Sequence, residues 1–154
     1  MAITFSDAFL RNMLCWFVPA CLFEYNPTSF QVHLYTNNFV PSDDVLLTDF
    51  TEANFCGYAP QPLTFPGPLP LEDEPDRDWF TTANPVQFCR NCEADMAHPA
   101  QTVYGYYVTF LAHDSSVVGI FADNVWPEGV VFEHACDCLK LTIMVRDKDL
   151  TPGE

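Results

Sequence analysis

Four of the seven cysteines stand in two close pairs, and these are the residues of the chain best suited to chemistry. The pairs are Cys89-Arg-Asn-Cys92 and Cys136-Asp-Cys138, with His98 and His134 near them in sequence. Zinc in proteins is held by four sulfur or nitrogen ligands arranged as a tetrahedron. Two close pairs on adjacent loops or hairpins could supply that set. Cys89, Cys92, Cys136 and Cys138 are therefore candidate zinc ligands.

The spacing of the two pairs differs from the common zinc motifs, so two other interpretations stay open. Frequent motifs separate their pairs by roughly 12–20 residues, whereas a much longer stretch separates Cys92 from Cys136. The thiols could instead be buried as small apolar groups or joined in a disulfide. If positions 136 and 138 share a strand, their side chains point to one face, which suits ligands and buried thiols alike. Cys15, Cys21 and Cys56 are interpreted as packing residues.

Known catalytic sequence motifs do not occur in this chain. It contains no GxSxG, no HExxH and no glycine-rich phosphate loop. His33 falls inside a predicted strand. A general base needs an orienting partner, and the sequence indicates none for His33, so we interpret it as a structural histidine. The nearby acids, Asp43, Asp44, Asp49 and Glu52, lack the glycine-punctuated loop of a calcium site. We therefore predict that the chain is not an enzyme and takes no cofactor other than a possible zinc ion.

Short apolar runs predict strands along most of the chain. Residues 30–36 alternate between apolar and polar side chains, while residues 103–113 form an unusually long run with residues 117–122 as its hairpin partner. Residues 45–53 predict a short strand or a helical turn. The remaining predicted strands cover residues 61–65, 86–89, 130–134 and 139–146. Seven or eight strands without βαβ alternation predict antiparallel pairing.

The expected fold is mainly β, as a single antiparallel β-sandwich or barrel-like domain with a short N-terminal helix. Residues 1–29 form an arm, in which Ser6 could cap a helix over about residues 6–18 that packs on the sheet or on a neighbour. Residues 30–148 form the β-domain. Within it, residues 66–78 are rich in proline and acids and are expected to be a long exposed loop. Residues 149–154 form a flexible tail.

The net charge of the chain and its longest N-terminal apolar run argue against two classes of partner, nucleic acids and membranes. With 6 Lys+Arg against 21 Asp+Glu the net charge is −15, so phosphate backbones and anionic lipids would repel the chain. The apolar run at residues 13–23 is interrupted by Pro19 and suits neither a membrane span nor a secretory signal peptide. We expect no nucleic acid and no membrane partner. Aromatic residues make up 15% of the chain, which favours a β-rich core.

Several short segments form a pattern spread over about half of the chain. They are LYT at 34–36, DFTEA at 49–53, Phe55, GYA at 57–59 and YGYYVT at 104–109, and the chain opens with ITFS at 3–6. This pattern resembles that of small structural proteins of bacteriophage virions. Those proteins combine a strand ending LYT or LFT, an Asn/Pro loop, a DFTEA-F-GYA segment and a YGYYVT strand. The cysteine pairs and the proline-rich acidic loop are not part of the pattern.

The resemblance implies a virion component, assembled in the host cytoplasm, with the major capsid protein or other virion proteins as partners. A capsid decoration or cement protein that bridges shell subunits is the role we expect, and a tail or baseplate protein is the alternative. A homo-oligomer is possible in either role. Large aromatic side chains dominate interface energetics. We therefore name Trp16, Phe17, Trp79 and Phe80 as candidate contact residues, with burial in the core as the other interpretation.

Two binding modules of another class are also compatible with the sequence. One is a small domain stabilised by zinc on the four paired cysteines. The other is a carbohydrate-binding β-sandwich, in which Trp79, Trp126 or Tyr107 would stack on sugar rings. Metal content and glycan binding of the purified protein distinguish these modules from a virion component.

Overall fold

The computed structural model describes residues 4–5, 29–64, 80–112 and 114–146. These residues form eleven strands and one 3-10 helix, at Leu47–Asp49. The strands are β1 (Thr4–Phe5), β2 (Ser29–Tyr35), β3 (Gln61–Leu63), β4 (Phe80–Thr82), β5 (Val86–Cys89), β6 (Gln101–Val103), β7 (Gly105–Leu111), β8 (Val117–Asp123), β9 (Val130–Phe132), β10 (Cys138–Leu141) and β11 (Met144–Arg146).

All strand pairs are antiparallel, and they form one large sheet and three two-stranded ribbons. The sheet has the order β1-β8-β7-β2-β3, and the ribbons are β10-β5, β11-β4 and β6-β9. The β2–β7 pairing is the longest and runs from Ser29 opposite Leu111 to Tyr35 opposite Gly105. The sheets pack together without forming a closed barrel in the part of the chain that is described, so the predicted sandwich-like β-fold is confirmed.

The main core lies between the inner face of the large sheet and the ribbons. Val32 and Leu34 on β2 and Val108 on β7 are fully buried on that face, as the alternation of β2 predicts. The ribbons contribute Phe88 and Phe132, and Phe55 stacks on Phe132 with ring centroids 4.3 Å apart. Aromatic stacking therefore joins the DFTEA-F-GYA segment to the ribbons.

A second, smaller core covers the opposite face of the sheet. Tyr35 and Tyr107 point to this side, and the loop that carries the 3-10 helix lays Phe50 over them. The ring centroids of Phe50 and Tyr107 are 4.3 Å apart. Strand β7 is consequently buried on both faces from Gly105 to Phe110.

Two of the predicted strands are each divided into two. The run 103–113 breaks at Tyr104, whose N–H donates to the carbonyl of Tyr35 and whose carbonyl accepts from Trp126. The residue after the break is Gly105. A glycine is needed at this position because a Cβ would collide with the Asp123 carbonyl and the Tyr35 ring. The run 139–146 is likewise divided into β10 and β11. These divisions, together with the short strands β1 and β4, give more strands than the sequence predicted.

Some predictions fall on parts of the chain outside the described residues. These are the N-terminal helix, the proline-rich acidic loop at 66–78, the tail, and the contact candidates Trp16, Phe17 and Trp79. Phe80 opens β4, where only the backbone is described. Within the described ranges, no helix has the length and apolar character needed to cross a bilayer.

Candidate functional site

A disulfide joins two of the four cysteines that were proposed as zinc ligands. Cys89 ends β5 and Cys138 begins β10, the two are paired in the ladder, and their sulfurs are bonded with the Cα atoms 4.2 Å apart. A disulfide sulfur is not a thiolate and cannot ligate zinc as one. Zinc binding by Cys89, Cys92, Cys136 and Cys138 therefore remains a prediction, and it applies only to the reduced protein.

Cys136 lies in a turn and not in a strand with Cys138. Its φ of 72° is in the left-handed region, and its N–H donates to the carbonyl of Arg90 at 2.8 Å. The carboxylate of Asp137 holds the turn by accepting from the backbone N–H groups of Glu133 and His134, at 2.8 and 2.6 Å. The condition for a shared strand face is therefore not met, because this turn precedes β10.

Arg90, which follows Cys89 in the CxxC segment, is the largest fully buried side chain of the described chain, at 1% exposure. Its guanidinium donates to four backbone carbonyls. Nε binds the oxygen of Cys92 at 2.7 Å and Nη2 that of His98 at 2.5 Å. Nη1 binds those of Pro99 and Phe132 at 3.1 and 3.3 Å. We call residues 90–99 and 132–138, which surround this side chain, the arginine corner.

The two histidines near the cysteine pairs bind acids on the surface of the arginine corner. His134 contacts Glu93 at 3.0 Å, and this hydrogen bond raises the pKa of His134 and lowers that of Glu93. His98 lies 3.5 Å from Asp95. Among residues 29–64, 80–112 and 114–146, no cluster of three or more His, Cys, Asp or Glu side chains could hold a metal ion. The corner is thus assembled around a cation, the Arg90 guanidinium, that belongs to the chain itself.

A hydroxyl, an imidazole and a carboxylate are hydrogen-bonded in series on the face of the large sheet that the smaller core covers. His33 on β2 lies 2.8 Å through Nδ1 from the carboxylate of Glu52, and 3.0 Å through Nε2 from the hydroxyl of Thr109 on β7. A carboxylate only accepts, so Nδ1 carries a proton and donates to Glu52, and Nε2 pairs with the Thr109 hydroxyl. Sequence reasoning missed this chain, which we call the His33 network.

Two tyrosines complete the His33 network. The hydroxyl of Tyr58 donates to Glu52 at 2.9 Å and accepts from the N–H of Leu34 at 3.0 Å. The charge of Glu52 also acts on the phenol of Tyr107, whose ring stacks on that of His33 with centroids 4.6 Å apart. Burial, with the charge of Glu52, raises the pKa of both phenols, so they remain donors at neutral pH. Every polar group of the network has a partner.

Hydroxyl, imidazole and carboxylate in this order also form the triad of acyl-transfer enzymes, in which the hydroxyl must reach a substrate carbonyl. Here Thr109 is 3% exposed in a central strand, and His33 is covered by the ring of Tyr107. These positions favour a structural role, in which the network satisfies polar groups on a buried sheet face. Tyr107 is equally enclosed between His33 and Phe50, so its ring face is not open for stacking on a sugar.

Removing the Thr109 hydroxyl should destabilise the fold. Thr109→Val keeps the side-chain volume but leaves Nε2 of His33 buried without its partner, and such a loss costs about 1–3 kcal/mol of unfolding free energy. Thr109→Ser, which keeps the hydroxyl, should lose less. Urea denaturation followed by tryptophan fluorescence measures both. Thr102→Val, at a half-exposed position on β6, is the matched control and should change little.

Asp123 is a buried acid that the sequence did not single out. It ends β8, is 6% exposed, and desolvation raises its pKa from 3.8 to about 6. The carboxylate also contributes to the raised pKa of the buried phenols of Tyr35 and Tyr106, for which burial is the larger cause. The folded state therefore binds the Asp123 proton more tightly than the unfolded state does.

Asp123→Asn should stabilise the protein at high pH. A raised folded pKa contributes stability that is present below about pH 4 and is lost as the pH rises through about 6. The variant lacks this loss, so its unfolding free energy relative to wild type should grow by about 2–3 kcal/mol between pH 4 and pH 8. Asp114→Asn is the control with the opposite trend, because hydrogen bonds from Ser116 lower the pKa of Asp114. A pH-independent difference for Asp123→Asn would contradict the prediction.

Comparison with known proteins found no matching family model, no matching curated protein and no matching solved structure.

Proposed function

We propose that this chain is a non-enzymatic structural protein of a virion, and specifically a capsid decoration protein that bridges shell subunits. One observation supports the proposal most strongly. The segments that resemble phage structural proteins are far apart in sequence, yet they pack against each other as one unit on the large sheet. We infer that the resembling residues preserve the fold itself, and that partners bind to the surfaces around it.

Backbone hydrogen bonds hold the unit together at the end of β2. Thr36 N–H donates to the carbonyl of Thr51 at 2.8 Å, and Ala53 N–H donates to that of Leu34 at 2.9 Å. The YGYYVT segment joins them through Tyr107, which stacks on Phe50. LYT, DFTEA and YGYYVT are therefore neighbours in space.

The polar groups of the same unit pair with one another. The Glu52 carboxylate of DFTEA, whose side chain is 40% exposed, accepts hydrogen bonds from His33 and Tyr58, and Thr109 of YGYYVT hydrogen-bonds His33. In a catalytic triad the hydroxyl must also reach a substrate carbonyl, whereas Thr109 is only 3% exposed. The internal pairing of these groups supports a scaffold function for the resembling segments and a non-enzymatic role for the chain.

The disulfide and the charge suit an exposed position on a particle. Disulfides persist on virion surfaces and are rare in proteins that stay in the cytosol, and here one links β5 to β10. The net charge of −15 opposes contact with packaged nucleic acid. Both features support a location on the outside of the shell.

The loop around the 3-10 helix offers a surface for a shell subunit. Val40, Leu46 and Leu47 are 82%, 61% and 40% exposed, and the acids Asp43 and Asp44 lie among them. An apolar centre with a charged rim is the usual composition of a protein interface. We assign these five residues, the 40–47 surface, to contact with the major shell protein, and Trp16, Phe17, Trp79 and Phe80 remain candidates beside it.

Quantitative mass spectrometry of purified virions tests the proposal. A copy number close to that of the major shell protein supports decoration, while a few copies per particle would replace it with the tail or baseplate role. Absence from particles would contradict any virion role. A Leu46→Asp, Leu47→Asp double variant should bind particles more weakly, whereas Met96→Asp should bind as wild type, because Met96 is fully exposed and belongs to the arginine corner and not to the 40–47 surface.

A further inference from the structure

We propose that Cys56 and Cys92 are a redox-active thiol pair that closes into a second disulfide when the folded protein meets a low-molecular-weight disulfide. The pair lies where the GYA segment contacts the arginine corner. Its closure would tie the loop before β3 to the loop after β5. This inference is independent of the virion role.

Three contacts hold the two cysteines side by side. The N–H of Asn91, the residue before Cys92, donates to the carbonyl of Cys56 at 2.9 Å, which brings the two backbones together at these cysteines. Gly57 has a φ of 87°, and a Cβ there would collide with the side chain of Asn91, so the segments meet without space between them. The side chain of Cys56 also acts on that of Cys92, whose pKa it raises. Because the two backbones lie side by side, we expect the Cα atoms of Cys56 and Cys92 to fall within the separation of about 4.4–6.8 Å that a disulfide requires.

The other cysteines of the described chain are differently placed. Cys89 is already bonded to Cys138, and Cys136 lies exposed in its own turn. Cys56 and Cys92 are both half-exposed, so a small disulfide can reach them. The interaction with Cys56 raises the pKa of Cys92, which favours its protonated thiol.

The reaction is two consecutive thiol–disulfide exchanges with oxidised glutathione as the oxidant. One protein thiol loses its proton, and its thiolate attacks a glutathione sulfur, which breaks the glutathione S–S bond and releases one glutathione thiolate. The second protein thiol, after losing its proton, attacks the mixed disulfide and releases the second glutathione. Two protein thiols are oxidised, one glutathione disulfide is reduced to two thiols, and both protons pass to the released thiolates.

Peptide mapping of the full chain after incubation with oxidised glutathione tests the proposal. Cleavage after Arg90 and before Asp95 and Asp137 puts Cys89, Cys92, Cys136 and Cys138 on separate peptides, and cleavage before Asp49 separates Cys56 from Cys15 and Cys21. We expect a new peptide that joins Cys56 to Cys92, together with the Cys89–Cys138 peptide. A Cys92–Cys136 or Cys89–Cys92 peptide, or separate glutathione adducts on Cys56 and Cys92, would overturn the proposal.

Variants and thermal unfolding provide a second readout. The oxidised wild type should unfold at a temperature higher by roughly 5–10 °C than the form with both thiols free, because the bond closes a long loop in the unfolded chain. Cys56→Ser and Cys92→Ser should each abolish this shift, and Cys136→Ser should retain it. If either single variant fails to fold, the wild-type peptide map alone decides. If the bond forms but the midpoint of thermal unfolding does not change, the bond does not tie the two loops together as proposed.

Discussion

Arg90→Met is expected to lower the free energy of unfolding by about 3–5 kcal/mol, the largest loss we predict for a single substitution. The side chain is buried, and four backbone carbonyls accept from it. Methionine fills much of the volume but donates nothing, so those carbonyls would be left buried without a donor. The loop 90–99 and the end of β9 would lose their common attachment.

Chemical denaturation under conditions that keep the disulfide intact measures this loss. Arg90→Lys should fall between wild type and Arg90→Met, because lysine keeps the charge but cannot reproduce the planar fork of guanidinium donors. Lys140→Met is the matched control, since Lys140 is exposed on β10 and its substitution should stay within about 0.5 kcal/mol of wild type. A loss below about 1 kcal/mol for Arg90→Met would mean that water replaces the guanidinium easily.

Breaking the Cys89–Cys138 disulfide is expected to cost about 3–4 kcal/mol, the second largest effect. The two cysteines are 49 positions apart, so the bond restricts a long loop of the unfolded chain. In the loop-entropy description, a loop of this length corresponds to roughly 4 kcal/mol. Without the bond, this ribbon is held by its four-residue ladder and by the packing of Val86, Phe88, Leu139 and Leu141 in the main core.

The double variant Cys89→Ser, Cys138→Ser measures this contribution without a reductant. Its unfolding free energy should match that of wild type treated with dithiothreitol, and dithiothreitol should have little further effect on it. Cys136→Ser should leave the stability unchanged, because Cys136 is exposed and unbonded. If dithiothreitol does not destabilise wild type, the bond does not contribute in solution. Zinc binding by the reduced wild type, absent from the double variant, would support the four-cysteine site.

Local sequence patterns predicted most of the strands. The alternation of residues 30–36 specified β2 to within one residue at each end, and residues 86–89 coincide with β5. The pairing of β7 with β8 followed from the Asp114-Ser115-Ser116 turn between two apolar runs. These features depend on side-chain periodicity and turn chemistry, which act between near neighbours in the chain.

The chemistry of the candidate sites depends instead on strand register. His33 meets Thr109 because β2 and β7 pair with Val32 opposite Val108, and Glu52 reaches the same ring only after the loop folds back onto β2. Nothing in the vicinity of His33 in sequence indicates either partner. A shift of one residue would place the three side chains on opposite faces.

The sequence by itself determined the β-rich class, the positions of most strands and the small number of residue types able to do chemistry. The tertiary structure decided which of those residues meet: Cys89 with Cys138, Cys56 with Cys92, and Arg90 with three carbonyls of its own loop and one at the end of β9. The physical reason is range, since strand formation follows local periodicity, whereas thiol pairing and burial of a cation require contacts between segments far apart in the chain.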